Sequence, residues 1–233
     1  MSQTQVYRQS AFILQRKNYR ETSVILEALT QDYGIVPLVA RGVRQKKSRL
    51  AQALHPFVRL ELSWSGKSAL KQLTQAETIT CFPLSGMALY SGFYLNELLQ
   101  CFLHQNDPHP EVYQLYLNTL EAMQSADEVA QILRFFELKL LEYSGYGIVL
   151  DRDKNGAPIQ SDVFYRFLPG IGLAPDAKSG LSGQTLLAFH QGLKLDRQQH
   201  KQILYVMRAV IDDLLGGKTL KSREVLTAVL RYR

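Results

Sequence analysis

The 233 residues are 46% hydrophobic, enough for a packed core in one large domain or two small ones, so disorder is not the default. No apolar run reaches membrane-spanning length, the N-terminus lacks a signal-peptide core, and two cysteines can build neither a framework of bridges nor a four-thiolate metal site. A soluble cytoplasmic protein is expected, with no membrane partner and with Cys81 and Cys101 as buried free thiols. The net charge of +6 is uneven: residues 1–80 hold 12 Lys/Arg against 5 Asp/Glu, residues 81–150 hold 2 against 8, and residues 151–233 hold 13 against 8. A basic N-terminal module that meets a polyanion and an acidic middle that does not is one reading; simple solubility is the other.

In chain order, the first eighty residues read as short strands separated by turn chemistry. "SAFILQR" and "TSVILEAL" are rich in β-branched and aromatic residues, and "GIVPLVAR" follows the turn "QDYG". In "FVRLELSW", Val58, Leu60, Leu62 and Trp64 alternate with Phe57, Arg59, Glu61 and Ser63, which predicts one core face and one wet face. "ALKQLTQAETIT" follows the turn "SGKS" as a fifth strand. Five strands with near-regular turns suit a small closed barrel of the oligonucleotide-binding type.

Between the third and fourth strands lies "ARGVRQKKSRL", which sets Arg41, Arg44, Lys46, Lys47 and Arg49 in a stretch with no acid between Asp32 and Glu61. A loop carrying these cations at a barrel rim would form a phosphate clamp. Further cations are at Arg16, Lys17, Arg20, Lys67 and Lys71. Single-stranded nucleic acid also needs rings for its bases. The candidates are Tyr19, Tyr33, Phe57 and Trp64; Trp64 alternates with the core, so Phe57, on the opposite face, is the preferred stacking residue. No helix carries the pattern that reads bases in a groove.

From residue 86 the period changes to about 3.6. "GMALYSGFYLNELLQCFLHQ" is apolar nearly all round; Val112, Leu115, Tyr116, Thr119, Leu120 and Met123 form the stripe of a second helix, with Pro108 in its first turn. Ser125 and Glu128 have capping-box spacing for a third, which carries Val129, Ile132, Leu133, Phe136, Leu140 and Tyr143 inward and stops at Gly145. Residues 148–180 form an irregular excursion with a short hairpin at "VFYRFL". Helices follow at "GQTLLAFHQGL", at "DRQQHKQILYVMRAVIDDLLGG" behind the cap Asp196, and around Val225, Leu226, Val229 and Leu230. The fold class is therefore α+β: a five-stranded barrel over residues 1–80 and an all-α helical domain with an irregular insertion over residues 81–233.

Catalytic motifs fail on inspection. Gly217-Lys218-Thr219 ends like a phosphate-binding loop, but Asp212 stands where the first glycine belongs and a helix precedes it in place of a strand. The five histidines show no metal-ligand spacing and no nucleophile partner, and the paired acids Asp127/Glu128 and Asp212/Asp213 are adjacent, which on a helix faces them apart. No enzyme activity is expected.

The stretches "ARGVRQKKSRLAQALHPFVRLELSWSGKSALKQLTQAE", "LYSGFYLNELL", "DPHPEVYQLYLNTL", "LRFFELKLLEYSGYGIVLD" and "GKTLKSREVL" together resemble the bacterial RecO family of recombination mediators, in family order and over nearly the whole length. The resemblance implies an N-terminal OB-fold and a helical domain. It implies a protein of the cytoplasm and nucleoid that binds single- and double-stranded DNA and anneals strands coated with single-strand-binding protein. With RecR, it implies help in loading RecA at gaps. The basic run from Arg41 to Arg49 matches the family's DNA-facing region, and Lys218, Lys221 and Arg223 match its C-terminal signature; they extend the DNA surface or cap the last helix. In "LRFFE", Arg134 and Phe135 are candidates for binding the acidic, Phe-ended tail of single-strand-binding protein; the alternative is a helix-surface Arg paired with Glu137 or Glu142. Many family members carry a cysteine-rich zinc site after "GYG", yet residues 148–176 contain neither Cys nor His, so no zinc is expected and "VFYRF" packing takes its place. The competing reading is a protein–protein adaptor that binds through the acidic middle, its barrel touching RNA or another polyanion incidentally.

Overall fold

The computed structural model describes residues 5–45, 49–125, 129–178 and 180–231. The chain packs as two compact units, Met1–Ala126 and Asp127–Arg233. Strands give way to helices near residue 82, whereas the boundary in packing comes two helices later.

In the first unit, β1 (Gln5–Tyr19), β2 (Ser23–Thr30), β3 (Gly34–Ala40), β4 (Val58–Ser65) and β5 (Lys71–Cys81) close a barrel in the order β1-β2-β3-β5-β4. All pairs are antiparallel except β3 with β5, where Leu38 faces Lys71 and Val39 faces Gln72. The short helix α1 (Arg49–Ala53) lies between β3 and β4. This is the five-stranded OB architecture. Its interior holds Ala11, Ile13, Leu26, Leu38, Leu60 and Trp64.

The run Ala11–Leu14 is apolar without alternation because both faces of β1 are buried. Ala11 and Ile13 fill the barrel. Phe12 instead meets Tyr113 at 5.6 Å and Tyr116 at 5.0 Å between ring centroids. Those tyrosines belong to α3 (Pro110–Met123), which follows α2 (Gly86–Phe102). The β1–β2 register shifts between Ile13 and Gln15, and Asn96 of α2 donates from Nδ2 to the Leu14 carbonyl at 3.0 Å. The Tyr116 hydroxyl donates to Asn96 Oδ1 at 2.5 Å. Burial pushes the Tyr116 phenol far up, so it remains a neutral donor. At the opposite turn Gly34 adopts φ +66° against the 104–109 loop, and Asn106 N–H bonds the Ile35 carbonyl at 3.0 Å. A Cβ at Gly34 would stand 2.1 Å from the Asp107 carbonyl oxygen.

The second unit contains α4 (Val129–Tyr143), the antiparallel sheet β7-β6-β8 and helices α5 (Gly183–His190), α6 (Arg197–Leu214) and α7 (Lys221–Arg231). The expected hairpin is β6 (Phe164–Leu168) with β7 (Gly172–Pro175), and β8 (Leu181–Ser182) flanks it. The Asp196 carboxylate caps α6 by accepting from the N–H groups of Gln198 and Gln199, and the Asp196 N–H donates in return to Gln199 Oε1.

Several expectations are corrected. Pro110, not Pro108, occupies the first turn of α3. Cys81 is exposed at the end of β5 and Cys101 is half-buried, so neither is a core thiol. On α4 the buried set is Arg134, Phe136, Glu137, Leu140 and Leu141, while Tyr143 is exposed. The capping box of Ser125 with Glu128 involves a residue outside those described.

Candidate nucleic-acid interface

The β1–β2 turn, the end of β3 and the β4–β5 turn converge on a cleft of about 800 Å³. Val39 and Leu70 supply its apolar lining, with Tyr19, Arg20, Glu21 and Arg41 around them. Short-range bonds set its rim. Arg44 donates from its backbone to the Thr22 carbonyl at 3.0 Å and from Nη1 to the Arg20 carbonyl at 3.1 Å. The Arg20 guanidinium lies 5.1 Å from the Tyr19 ring centroid. Across the cleft, Lys71 Nζ bonds the Ser68 carbonyl at 3.3 Å. Three connections far apart in sequence thus bring Arg20 and Arg41 into one lining, with Arg44 and Lys71 bonded to its rim, Lys67 in the adjoining β4–β5 turn, and Glu21 as the acid of the lining.

The other expected contacts divide. Lys17 is exposed on β1, two residues before the cleft ring Tyr19. Arg16 is half-buried and spends Nη1 on the Leu54 carbonyl at 3.4 Å. Lys46 and Lys47 lie outside the described residues, as does the side chain of Arg49, whose backbone opens α1.

Phe57 is not a stacking surface. It precedes β4, takes φ +62° and is only 5% exposed. The left-handed backbone directs its ring toward α2, where it meets Phe93 edge-on at 5.1 Å. Gly92 makes the approach possible, since a Cβ there would come within 2.7 Å of the Phe57 ring. Tyr19 is the ring that lines the cleft. Trp64 is core, 2% exposed, with Tyr33 edge-on at 5.4 Å.

In the second unit, Arg134 is buried: its Nη2 lies 2.6 Å from Glu137 Oε1, and the two side chains are 8% and 0% exposed. It therefore does not present a cation to a partner. Phe135 is half-buried against Phe189 at 5.1 Å. Lys218 and Arg223 line a cleft of about 600 Å³ with Asp212 and Glu224, and Arg223 pairs with Asp212 at 2.5 Å; Lys221 is exposed at the start of α7.

A distinct cleft of about 520 Å³ is lined by Tyr146, Val149, Ile171 and Leu214, with Arg152 and Lys154 beside Asp153 and Asp213. The excursion bordering it is organised by Asp153, whose Oδ1 accepts the N–H groups of Asn155 at 2.8 Å and Ala157 at 3.0 Å. Tyr165 OH accepts from Gln160 N–H at 2.9 Å, and Tyr165, Leu173 and Ile159 are buried. Among the described residues no three His, Cys, Asp or Glu side chains cluster as metal ligands. The excursion's donor set, carboxylates without thiolate or imidazole, does not fit a structural zinc site.

A five-stranded barrel with a basic, ring-lined cleft between its β1–β2 and β4–β5 turns is the arrangement by which OB-folds hold oligonucleotides. Residues 1–82 match the family model described as Recombination protein O N terminal, and residues 84–224 match Recombination protein O C terminal. The chain belongs to the RecO family. It is 39% identical over 232 residues to the DNA repair protein RecO of Burkholderia pseudomallei, covering 97% of this chain and 84% of the relative. The RecO of Laribacter hongkongensis is 38% identical over 228 residues, covering 95% and 94% respectively. That of Coxiella burnetii is 42% identical over 222 residues, covering 93% and 96%. Membership in RecO makes this a DNA repair protein. No described helix is long and apolar enough to cross a membrane.

Proposed function

We propose that this protein is a recombination mediator that holds single- and double-stranded DNA in the barrel cleft and anneals complementary strands coated with single-strand-binding protein. With RecR, it promotes RecA loading at gaps. The role requires no bond-making chemistry and places the protein in the cytoplasm, at the nucleoid. The observation that carries the reading is the convergence of Arg20, Arg41 and Tyr19 on one cleft of an OB barrel in a RecO chain. Annealing requires two phosphate backbones to approach while their bases stay exposed. Cations on turns neutralise the backbones without covering the bases, and affinity built this way falls linearly in log–log terms with salt.

The acidic tail of single-strand-binding protein, with its terminal Phe, requires an apolar seat beside cations. With Arg134 buried, the seat proposed is the cleft of Tyr146, Val149, Ile171 and Leu214 flanked by Arg152 and Lys154. The protein folds without zinc, so metal analysis of purified protein should find none in stoichiometric amount. The decisive experiment is annealing of complementary strands coated with single-strand-binding protein. Arg20→Ala with Arg41→Ala should slow annealing and flatten the salt slope of single-strand binding; unchanged slope and rate would refute the cleft.

A further inference from the structure

Helix α6 buries Ile203, Val206, Met207, Val210 and Ile211 on one face. On the opposite face Arg197, Lys201, Tyr205 and Arg208 fall at i, i+4, i+8 and i+11, all exposed, with Tyr205 69% accessible. None of the three cations makes an ion pair among the described residues. The stripe continues to Asp212, whose charge is met by Arg223 at 2.5 Å, and then to the cleft lined by Gly217, Lys218 and Thr219.

Folding gains nothing from this placement. Arg197 and Lys201 are like charges at i, i+4, a spacing that weakens a helix by about 0.2–0.5 kcal/mol. Arg197 opens α6, where the helix dipole is positive and acids are favoured, yet the first turn contains no acid. Asp196 offsets part of this, but its carboxylate is engaged by the N–H groups of Gln198 and Gln199. An exposed tyrosine among unpaired cations adds a ring without a core role. The stripe lacks the wide aliphatic face with which an amphipathic helix enters a bilayer.

We infer that the exposed face of α6 is a second single-strand DNA contact, separate from the barrel cleft, with Arg197, Lys201 and Arg208 on phosphates and Tyr205 stacking on a base. The inference rests on the annealing function proposed above and adds to it: one chain would hold a strand at each of two faces. The eleven helical steps from Arg197 to Arg208 span about 16 Å of helix, over which one strand in B-form spacing carries about five phosphates. Three cations are matched to part of that length.

The test titrates the full chain with a short fluorescent oligothymidylate at low salt and counts strands bound per chain, for wild type, Arg197→Ala/Lys201→Ala/Arg208→Ala and Arg20→Ala/Arg41→Ala. Circular dichroism monitors folding, and Tyr205→Ala and Tyr205→Phe separate ring from hydroxyl. Expected are two strands for wild type, one for each variant, and none when the variants are combined. Loss of the α6 cations should slow annealing at least about tenfold and remove about 2 from the summed salt slope, at about 0.7 per phosphate. Tyr205→Phe should bind as wild type and Tyr205→Ala more weakly. One strand per chain in both wild type and the α6 variant would overturn the inference and leave the barrel function standing. No strand bound by wild type would overturn both. Loss of binding to phosphatidylserine vesicles in the α6 variant, with DNA stoichiometry unchanged, would assign the face to a membrane surface and overturn the inference.

Discussion

Replacing Asn96 by Leu, close to it in volume, opens little cavity and isolates the polar contribution of one side chain to the barrel. Asn96 is 2% exposed and satisfies two buried groups, the Leu14 carbonyl at the β1 irregularity and the Tyr116 hydroxyl. Each orphaned group should cost about 1–3 kcal/mol, together about 2–6 kcal/mol against a total stability of about 5–15 kcal/mol. With a urea m-value of about 2 kcal/mol/M, the unfolding midpoint should fall by roughly 1–3 M. Trp64, the sole tryptophan, lies in the barrel core, so its fluorescence reports the first unit specifically. The sharper check is a double-mutant cycle with Tyr116→Phe. Removing the hydroxyl should cost about 1–2 kcal/mol in the wild-type background, where it orphans Asn96 Oδ1, and should instead recover about 1–3 kcal/mol in Asn96→Leu, where the hydroxyl is itself the orphaned group. Additive losses within about 0.5 kcal/mol would refute the network as the link between α2 and the barrel.

Tyr19→Ala should weaken single-strand binding by about 1–3 kcal/mol with little change in stability, whereas Phe57→Ala should cost about 3–5 kcal/mol of stability and leave the affinity of the folded protein unchanged; fluorescence titration beside urea melts distinguishes them. Gly34→Ala combines a strained φ with a clash on the Asp107 carbonyl and should lower the thermal midpoint of the first unit by several degrees in a scan followed at Trp64. Arg134→Ala removes the buried cation beside Glu137 and should destabilise the second unit by about 3–5 kcal/mol, read by hydrogen exchange of α4 amides; wild-type protection in the variant would contradict the buried pair.

The barrel was legible because its signal is local: period-two alternation in "FVRLELSW" and turn chemistry between runs correspond to β4 and its neighbours. The charge run lies in the β3–β4 connection, yet the residues that meet at the cleft come from three connections, and a linear reading cannot pair Arg20 with Ser68. Phe57 was misjudged because alternation holds only within a paired strand; one residue before β4, a positive φ sends the ring elsewhere. Arg134 was misjudged for a different reason. A charge on a helix usually marks its wet face, and only the opposite charge at i+3, set among phenylalanines, hinted at an ion pair within the buried stripe. Tyr19 was named among the rings but could not be ranked first, since what distinguishes it is a cleft that exists only once β3 and β5 pair in parallel.

The double burial of β1 has a consequence for dividing the chain. A fragment cut between the two family segments, at residue 82, would retain all five strands, yet it would bare the outer side of Phe12 and leave the Leu14 carbonyl without Asn96. The smallest autonomous piece should therefore end near residue 125, after α3. The barrel of this protein depends on its two helices, and transplanting the cleft to another scaffold would require transplanting them as well.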